Sequence, residues 1–138
     1  MTSPVSVFKE NFNKLNSETL HLVDEIYAPE IHFLDPIHEV KGIENLRKYF
    51  ANLYDGVVYC QFDFSEEVVQ GNSAAIPWVM HLEHGNFRKG HRVAVPGISH
   101  IRFEEKVTFH HDYFDMGKLI YERVPLLGGV VRTIKARL

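Results

Sequence analysis

Cysteine is nearly absent from this chain: the single thiol, Cys60, excludes an internal disulfide framework and suits a reducing compartment. An excess of charge of one sign is missing too. Fifteen Lys and Arg against 18 Asp and Glu leave a net charge of -3, so there is no global basic field of the kind nucleic-acid binders carry. No apolar run approaches the roughly 18–20 residues a membrane span needs. Residues 1–6 have neither the basic start nor the apolar stretch of a signal peptide, and no repeat, low-complexity tract or linker interrupts the 138 residues. These absences predict a soluble, cytoplasmic single domain over residues 1–138, with no nucleic-acid and no membrane partner.

Aromatic residues are plentiful, with 10 Phe, 6 Tyr and 1 Trp, so a core can be filled with something to spare. Nine histidines are the other surplus. Helical spacing of Val5, Phe8, Phe12 and Leu15 predicts a first helix. Asn16 or Ser17 caps a second, with the stripe Leu20, Val23, Ile26 and Tyr27, which Pro29 ends. A short extended piece, residues 31–35, precedes a third helix behind Gly42, with Ile43, Leu46, Phe50 and Leu53 on one face and Tyr49 beside them.

After Gly56 the apolar period changes from 3.6 to 2. Val58, Cys60, Phe62 and Phe64 alternate with polar neighbours, and three further strands follow over about 73–84, 91–104 and 106–114. The last residues, 130–138, read as a short amphipathic helix. Helices followed by a four-strand meander predict an α+β fold. Pro77, Pro96 and Gly97 mark bends that curve the sheet into a cone around the helices.

Several motifs resemble the NTF2-like superfamily, in its SnoaL-like and steroid Δ5-isomerase branch. They are Asp35-Pro36 after the first strand, Gly42 opening helix three, the segment from Pro96 to Phe103, and the closing runs 110–115 and 124–128. The resemblance covers nearly the whole chain. It implies a cone-shaped curved antiparallel sheet packed on three N-terminal helices with a short C-terminal helix. The superfamily hosts isomerases, cyclases, dehydratases, epoxide hydrolases and non-catalytic binders. Register with the steroid isomerases makes Asp35 the general base. Their oxyanion tyrosine falls on Asn11 and their second acid on Ser99, so both oxyanion donors are changed. The superfamily's dimers also imply a homodimer through the outer sheet face.

Strand alternation turns that register into a pocket. With Ser99 inward, Val95, Ile101 and Phe103 follow, as do Trp78, Met80 and Leu82 on the preceding strand, and Thr108, His110, Asp112 and Phe114 on the last. The expected catalytic set is Asp35, His110 and Asp112; the expected ligand contacts are Asn11, Trp78, Met80, Leu82, Ser99, Ile101 and Phe114. A bulge at Pro96-Gly97 would flip part of this face. The outer face gathers Val79, His81, Glu83, His100, Arg102, His111, Tyr113 and Asp115.

Each feature has a plainer counterpart. Asp35 suits a base raised by apolar surroundings, or an Asp-Pro turn bonding its own backbone. His110 and Asp112, two apart on one strand face, suit an acid–base couple with a carboxylate-fixed tautomer, or a polar pair lining the cone. No third metal ligand joins them. His81 and His84, three apart on a strand, face opposite ways, so no zinc site is expected. Trp78 and Met80 suit core as well as ligand platform, and Cys60 suits core better than nucleophile. The basic tail, 118–138, packs its apolar side on the cone mouth in preference to lying on a membrane. The function expected is binding of a hydrophobic small molecule, with cofactor-free isomerase, cyclase or dehydratase chemistry through Asp35. The alternative is a non-catalytic binding or scaffold module.

Overall fold

A computed structural model describes residues 3–86, 89–117 and 119. The expected tail helix over 130–138 and the run 124–128 lie outside the described residues. Helix α1 spans Pro4–Phe12. Ser3 caps it by accepting a hydrogen bond from Ser6 N at 3.1 Å, and Pro4 fills the first turn, where its missing N–H costs nothing. Its buried residues, Val5, Phe8, Asn11 and Phe12, keep the predicted stripe.

The second helix is shorter than its pattern suggests. A 3₁₀ turn over Leu20–Leu22 runs into a single turn, α2 (Val23–Ile26). Asn16 closes a local turn by accepting from Glu18 N at 2.7 Å and caps no helix. Pro29 does not end a helix either. Strand β1 already starts at Tyr27 and runs to Leu34, and Pro29 lies at an irregularity in its pairing, where no ladder N–H is required. Tyr27 therefore belongs to a strand, with Ile31 and Phe33 buried farther along it.

A short strand, β2 (Glu39–Lys41), folds back on β1. Helix α3 (Ile43–Tyr54) follows Gly42, whose φ of 87° favours glycine. It buries Leu46, Phe50 and Tyr54, so the buried stripe turns away from Leu53, which stays about half exposed.

The four long strands are β3 (Val57–Phe64), β5 (Ser73–His84), β6 (Val93–Phe103) and β7 (Val107–Phe114), and they pair antiparallel as a meander. A short strand, β4 (Val68–Gln70), pairs with the first part of β5. β1 adds in parallel beside β7, giving the order β2-β1-β7-β6-β5-β3 in a mixed, unclosed, curved sheet. The helices pack on its inner face, which makes the fold α+β and NTF2-like.

Two prolines sit inside long strands because each faces a missing neighbour. Pro77 lies between the residues of β5 that pair with β3 and those that pair with β4. Pro96 pairs with Val79, one residue beyond the stretch where β7 accompanies β6. No bulge occurs there: the β5–β6 register is unbroken from Ser73↔Arg102 to Leu82↔Val93. The inward set Val95, Ser99 and Ile101 is accordingly buried throughout. A register shift does occur in β3 between Val57 and Tyr59. It throws Val58 outward to 64% exposure, against the alternation expected for it.

Gly97 makes room for Trp78, since a Cβ at Gly97 would lie 2.4 Å from the indole. Gly97→Ala is expected to destabilise the fold by about 1–3 kcal/mol through overpacking, read as a lower urea midpoint with altered tryptophan fluorescence.

Candidate functional site

The cone holds a cavity of about 560 Å³ between α3 and the concave side of the sheet. Its walls are mainly aromatic and aliphatic: Phe12 from α1, Phe50 and Tyr54 from α3, Phe62 from β3, Trp78 from β5 and Phe114 from β7. Three aspartates line it: Asp35 just after β1, Asp112 within β7 and Asp55 just after α3. An apolar concavity with a few convergent polar groups is the ordinary form of a small-molecule site.

Asp35 follows β1, and its carboxylate is engaged on both oxygens. Oδ1 accepts from the backbone N–H groups of Ile37 and His38, each at 2.8 Å, closing the turn that leads to β2. Oδ2 accepts from the Tyr49 phenol, which α3 brings down onto the strand end. Tyr49 loses its proton less readily than an ordinary phenol, first because it is partly buried and then because it donates to the Asp35 carboxylate. Asp35 thus serves both as turn former and as cavity wall.

Behind Asp112 lies a buried polar chain. Register places Asp112 opposite Ser99, and His110 opposite Ile101. His110 Nε2 lies 2.6 Å from Asp112 Oδ1, the same oxygen that accepts from the Ser99 hydroxyl. Ser99 Oγ in turn accepts from Trp78 Nε1 at 2.9 Å. On the other side of the imidazole, Nδ1 lies 2.7 Å from the Tyr27 phenol. The Tyr27 proton is held tightly, by complete burial first and by the Asp112 charge second. These partners assign a neutral His110 that accepts at Nδ1 from Tyr27 and donates at Nε2 to Asp112. An imidazolium would force the phenol to accept, stranding its proton among the rings of Phe8, Phe12 and Phe33 that surround His110.

The expected residues therefore separate into layers. Asp35, Asp112, Trp78, Met80, Leu82 and Phe114 line the cavity. His110, Ser99 and Ile101, with at most 2% exposure, stand behind the lining, and Asn11 is buried on α1 outside it. These four were expected in the pocket because alternation tells which face a side chain takes but not how deep it lies along a cone that narrows onto a helix-filled core. His110 meets the cavity wall from behind, through its hydrogen bond to Asp112 and its ring contacts with Phe12 and Phe33.

Sequence reasoning missed Tyr27, read as helical, and did not assign Tyr49 and Tyr54 to the cavity. Tyr49 and Tyr54 were visible as aromatics on an amphipathic helix, but which strand end the helix would cover was not. Cys60, half-buried, also lines the cavity, with its thiol pushed up to about 12 by burial. Among the described residues no group of His, Cys, Asp and Glu is arranged to hold a metal ion. Nor is any helix long and apolar enough to cross a membrane.

Residues 8–110 match the SnoaL-like domain family. No functionally curated protein matches the sequence. Among solved structures, an NTF2-like protein from Burkholderia pseudomallei is 15% identical with a TM-score of 0.76, over 90% of this chain and 99% of its own. A Catenulispora acidiphila protein with a ketosteroid isomerase-like fold, in complex with trimethylamine, is 16% identical with a TM-score of 0.74, over 88% and 94%. An LEH-like epoxide hydrolase from M. tuberculosis is 15% identical with a TM-score of 0.67, over 96% and 93%. At these identities the likeness is one of fold.

Tyr27→Phe removes the donor to a buried imidazole nitrogen, and a stability loss of about 1–3 kcal/mol is expected in urea unfolding. The raised Cys60 thiol also sets a pH dependence. The unfolded thiol ionises near its ordinary 9.0 while the folded one holds its proton to about 12, so stability is full below pH 9 and falls as pH rises towards 12. Alkylation of the folded protein by iodoacetamide at pH 8 is expected to run about 10³-fold slower than that of a free thiol.

Proposed function

The chain belongs to the SnoaL-like domain family, and on that premise we propose that its cone binds a hydrophobic small molecule and moves a proton on it without a cofactor. The observation that carries this reading is the pair of carboxylates, Asp35 and Asp112, facing one mainly apolar cavity. In such surroundings a carboxylate is a poorly solvated proton acceptor, suited to removing a proton from carbon next to a carbonyl.

The two carboxylates are not equally available. Both Asp35 oxygens already accept hydrogen bonds, whereas Asp112 Oδ2 has no donor among the described residues. Asp112 Oδ2 is the better accepting atom, and Asp35, expected from the family register to be the base, becomes the second carboxylate, paired with the Tyr49 phenol. His110 and Ser99 hold Asp112 Oδ1 and so act as positioning residues, with Tyr27 steadying His110. The Tyr49 hydroxyl, by turning its one proton from Asp35 Oδ2, becomes the donor for an oxygen that gains charge as the proton leaves. Isomerisation, aldol-type cyclisation and dehydration share this step.

The saturation of Asp35 by its own turn favours a second reading, a non-catalytic ligand-binding or scaffold module. One assay separates the two. A panel of apolar ketones is incubated with the protein in deuterated water, and exchange at the carbon next to the carbonyl is followed by NMR. Catalysed exchange that falls by about 10²–10⁴-fold in Asp112→Asn is expected. Ketones that bind without exchange support the module, and exchange unchanged in Asp112→Asn removes Asp112 as the base.

The compartment is proposed as cytoplasmic, in keeping with the lone thiol. A homodimer through the outer sheet face fits the half-exposed Tyr113, stacked on His111 with ring centroids 4.0 Å apart. Light scattering is expected to give twice the 16.0 kDa chain mass, and a clean monomer overturns the dimer.

A further inference from the structure

We infer that the cavity selects apolar molecules carrying a positive charge, organic amines in their ammonium form. The inference rests on the reading of the cone as a small-molecule site and names the chemistry of its ligand. Three observations lead to it. First, among the described residues no cation meets Asp35 or Asp112. Asp35 is held by two backbone N–H groups and a phenol, all neutral. Asp112 is held by a serine hydroxyl and an imidazole assigned as neutral. Elsewhere acidic side chains do meet cations, as in Arg47–Asp24, Lys9–Glu67 and Arg92–Glu83. Second, no Lys or Arg is among the described residues that line the cavity, while a third aspartate, Asp55, joins Asp35 and Asp112 there.

Third, much of the rest of the wall is aromatic, with eight Phe, Tyr and Trp residues among its described lining. Phe33 and Tyr49, with centroids 5.7 Å apart, flank the Asp35 end, and Phe50 lies 5.6 Å from Phe33. Aromatic faces attract a cation through their quadrupole, and the attraction grows as water leaves. A low-dielectric pocket also magnifies the field of negative charges that meet no cation among the described residues. An ammonium group gains from both, and its N–H groups match Asp112 Oδ2, which has no donor among the described residues. A ligand carboxylate would be repelled by the same field, and an uncharged ligand would gain only from contact with the apolar wall.

The test uses one apolar cage with three substituents: adamantan-1-amine, adamantan-1-ol and adamantane-1-carboxylate, titrated into the full chain at pH 7 by calorimetry. The amine is expected to bind about tenfold tighter than the alcohol, and the carboxylate weaker than both. Asp35→Asn is expected to reduce amine affinity by about tenfold while leaving the alcohol within about twofold. Because Asp35 also closes its own turn, Asp112→Asn is the second variant, with the same loss expected. Amine and alcohol of equal affinity, or a carboxylate that binds tightest, overturn the charge selection and leave the cone standing as a small-molecule site. Absence of binding by all three overturns both.

Discussion

The hydrogen bond between His110 Nε2 and Asp112 Oδ1 is the contact on which the site's arrangement depends. Burying an imidazole inside a shell of phenylalanine rings is costly unless both ring nitrogens find partners. Here both do, Tyr27 at one side and Asp112 at the other. Meeting those partners requires β1, β6 and β7 to hold one register, because Tyr27, Ser99, His110 and Asp112 come from three strands. A slip of one residue in any of them would turn its polar member to the outer face and orphan the rest. The chain of bonds thus links the specificity of the sheet to the placement of a carboxylate at the cavity wall.

The same arrangement explains the two layers of the cone. Aromatic side chains of α1 and α3 fill the narrow end, where His110 lies completely buried. Toward the wide end the helices no longer reach the sheet. Met80, Leu82, Val93, Val95 and Phe114 then form a second, smaller apolar group around the open volume. Trp78 joins the two layers. Its ring crosses Gly97, where no Cβ obstructs it, and its indole N–H meets Ser99, the last polar atom before the cavity. Function in such a fold comes from what projects into the space the helices leave empty.

Much of the architecture was legible in residue order. Period-two alternation marked the inward faces of β5 and β6, and of β7 from His110 onward, since Ile76, Trp78, Val95, Ser99, Ile101 and His110 are all buried. At the start of β7 a register shift against β6 puts Val107 in the core in place of the expected Thr108. The stripe of α1 and the glycine before α3 were equally plain. Errors arose where local signals competed with pairing between distant residues. Tyr27 and Pro29 looked like the end of a helix, because the pairing of β1 with β7, some 80 residues away, leaves no trace in local periodicity. Val58 fitted the alternation and was expelled from it by a shift in the pairing of β3 with β5.

The sequence by itself determined the alternation, the aromatic surplus, the balance of charge and the Asp-Pro turn, because these are properties of neighbours along the chain. It also brought His110 and Asp112 together, since residues two apart on a strand share a face whatever surrounds them. Depth was decided only in three dimensions. Whether a residue on the inner face meets a helix or open space depends on where the helices end, which is why Asp112 lines the cavity and His110 does not. The same packing set Tyr49 against Asp35, left Asp112 Oδ2 without a donor among the described residues, and assembled a largely aromatic wall with carboxylates and without a lysine or arginine among its described members.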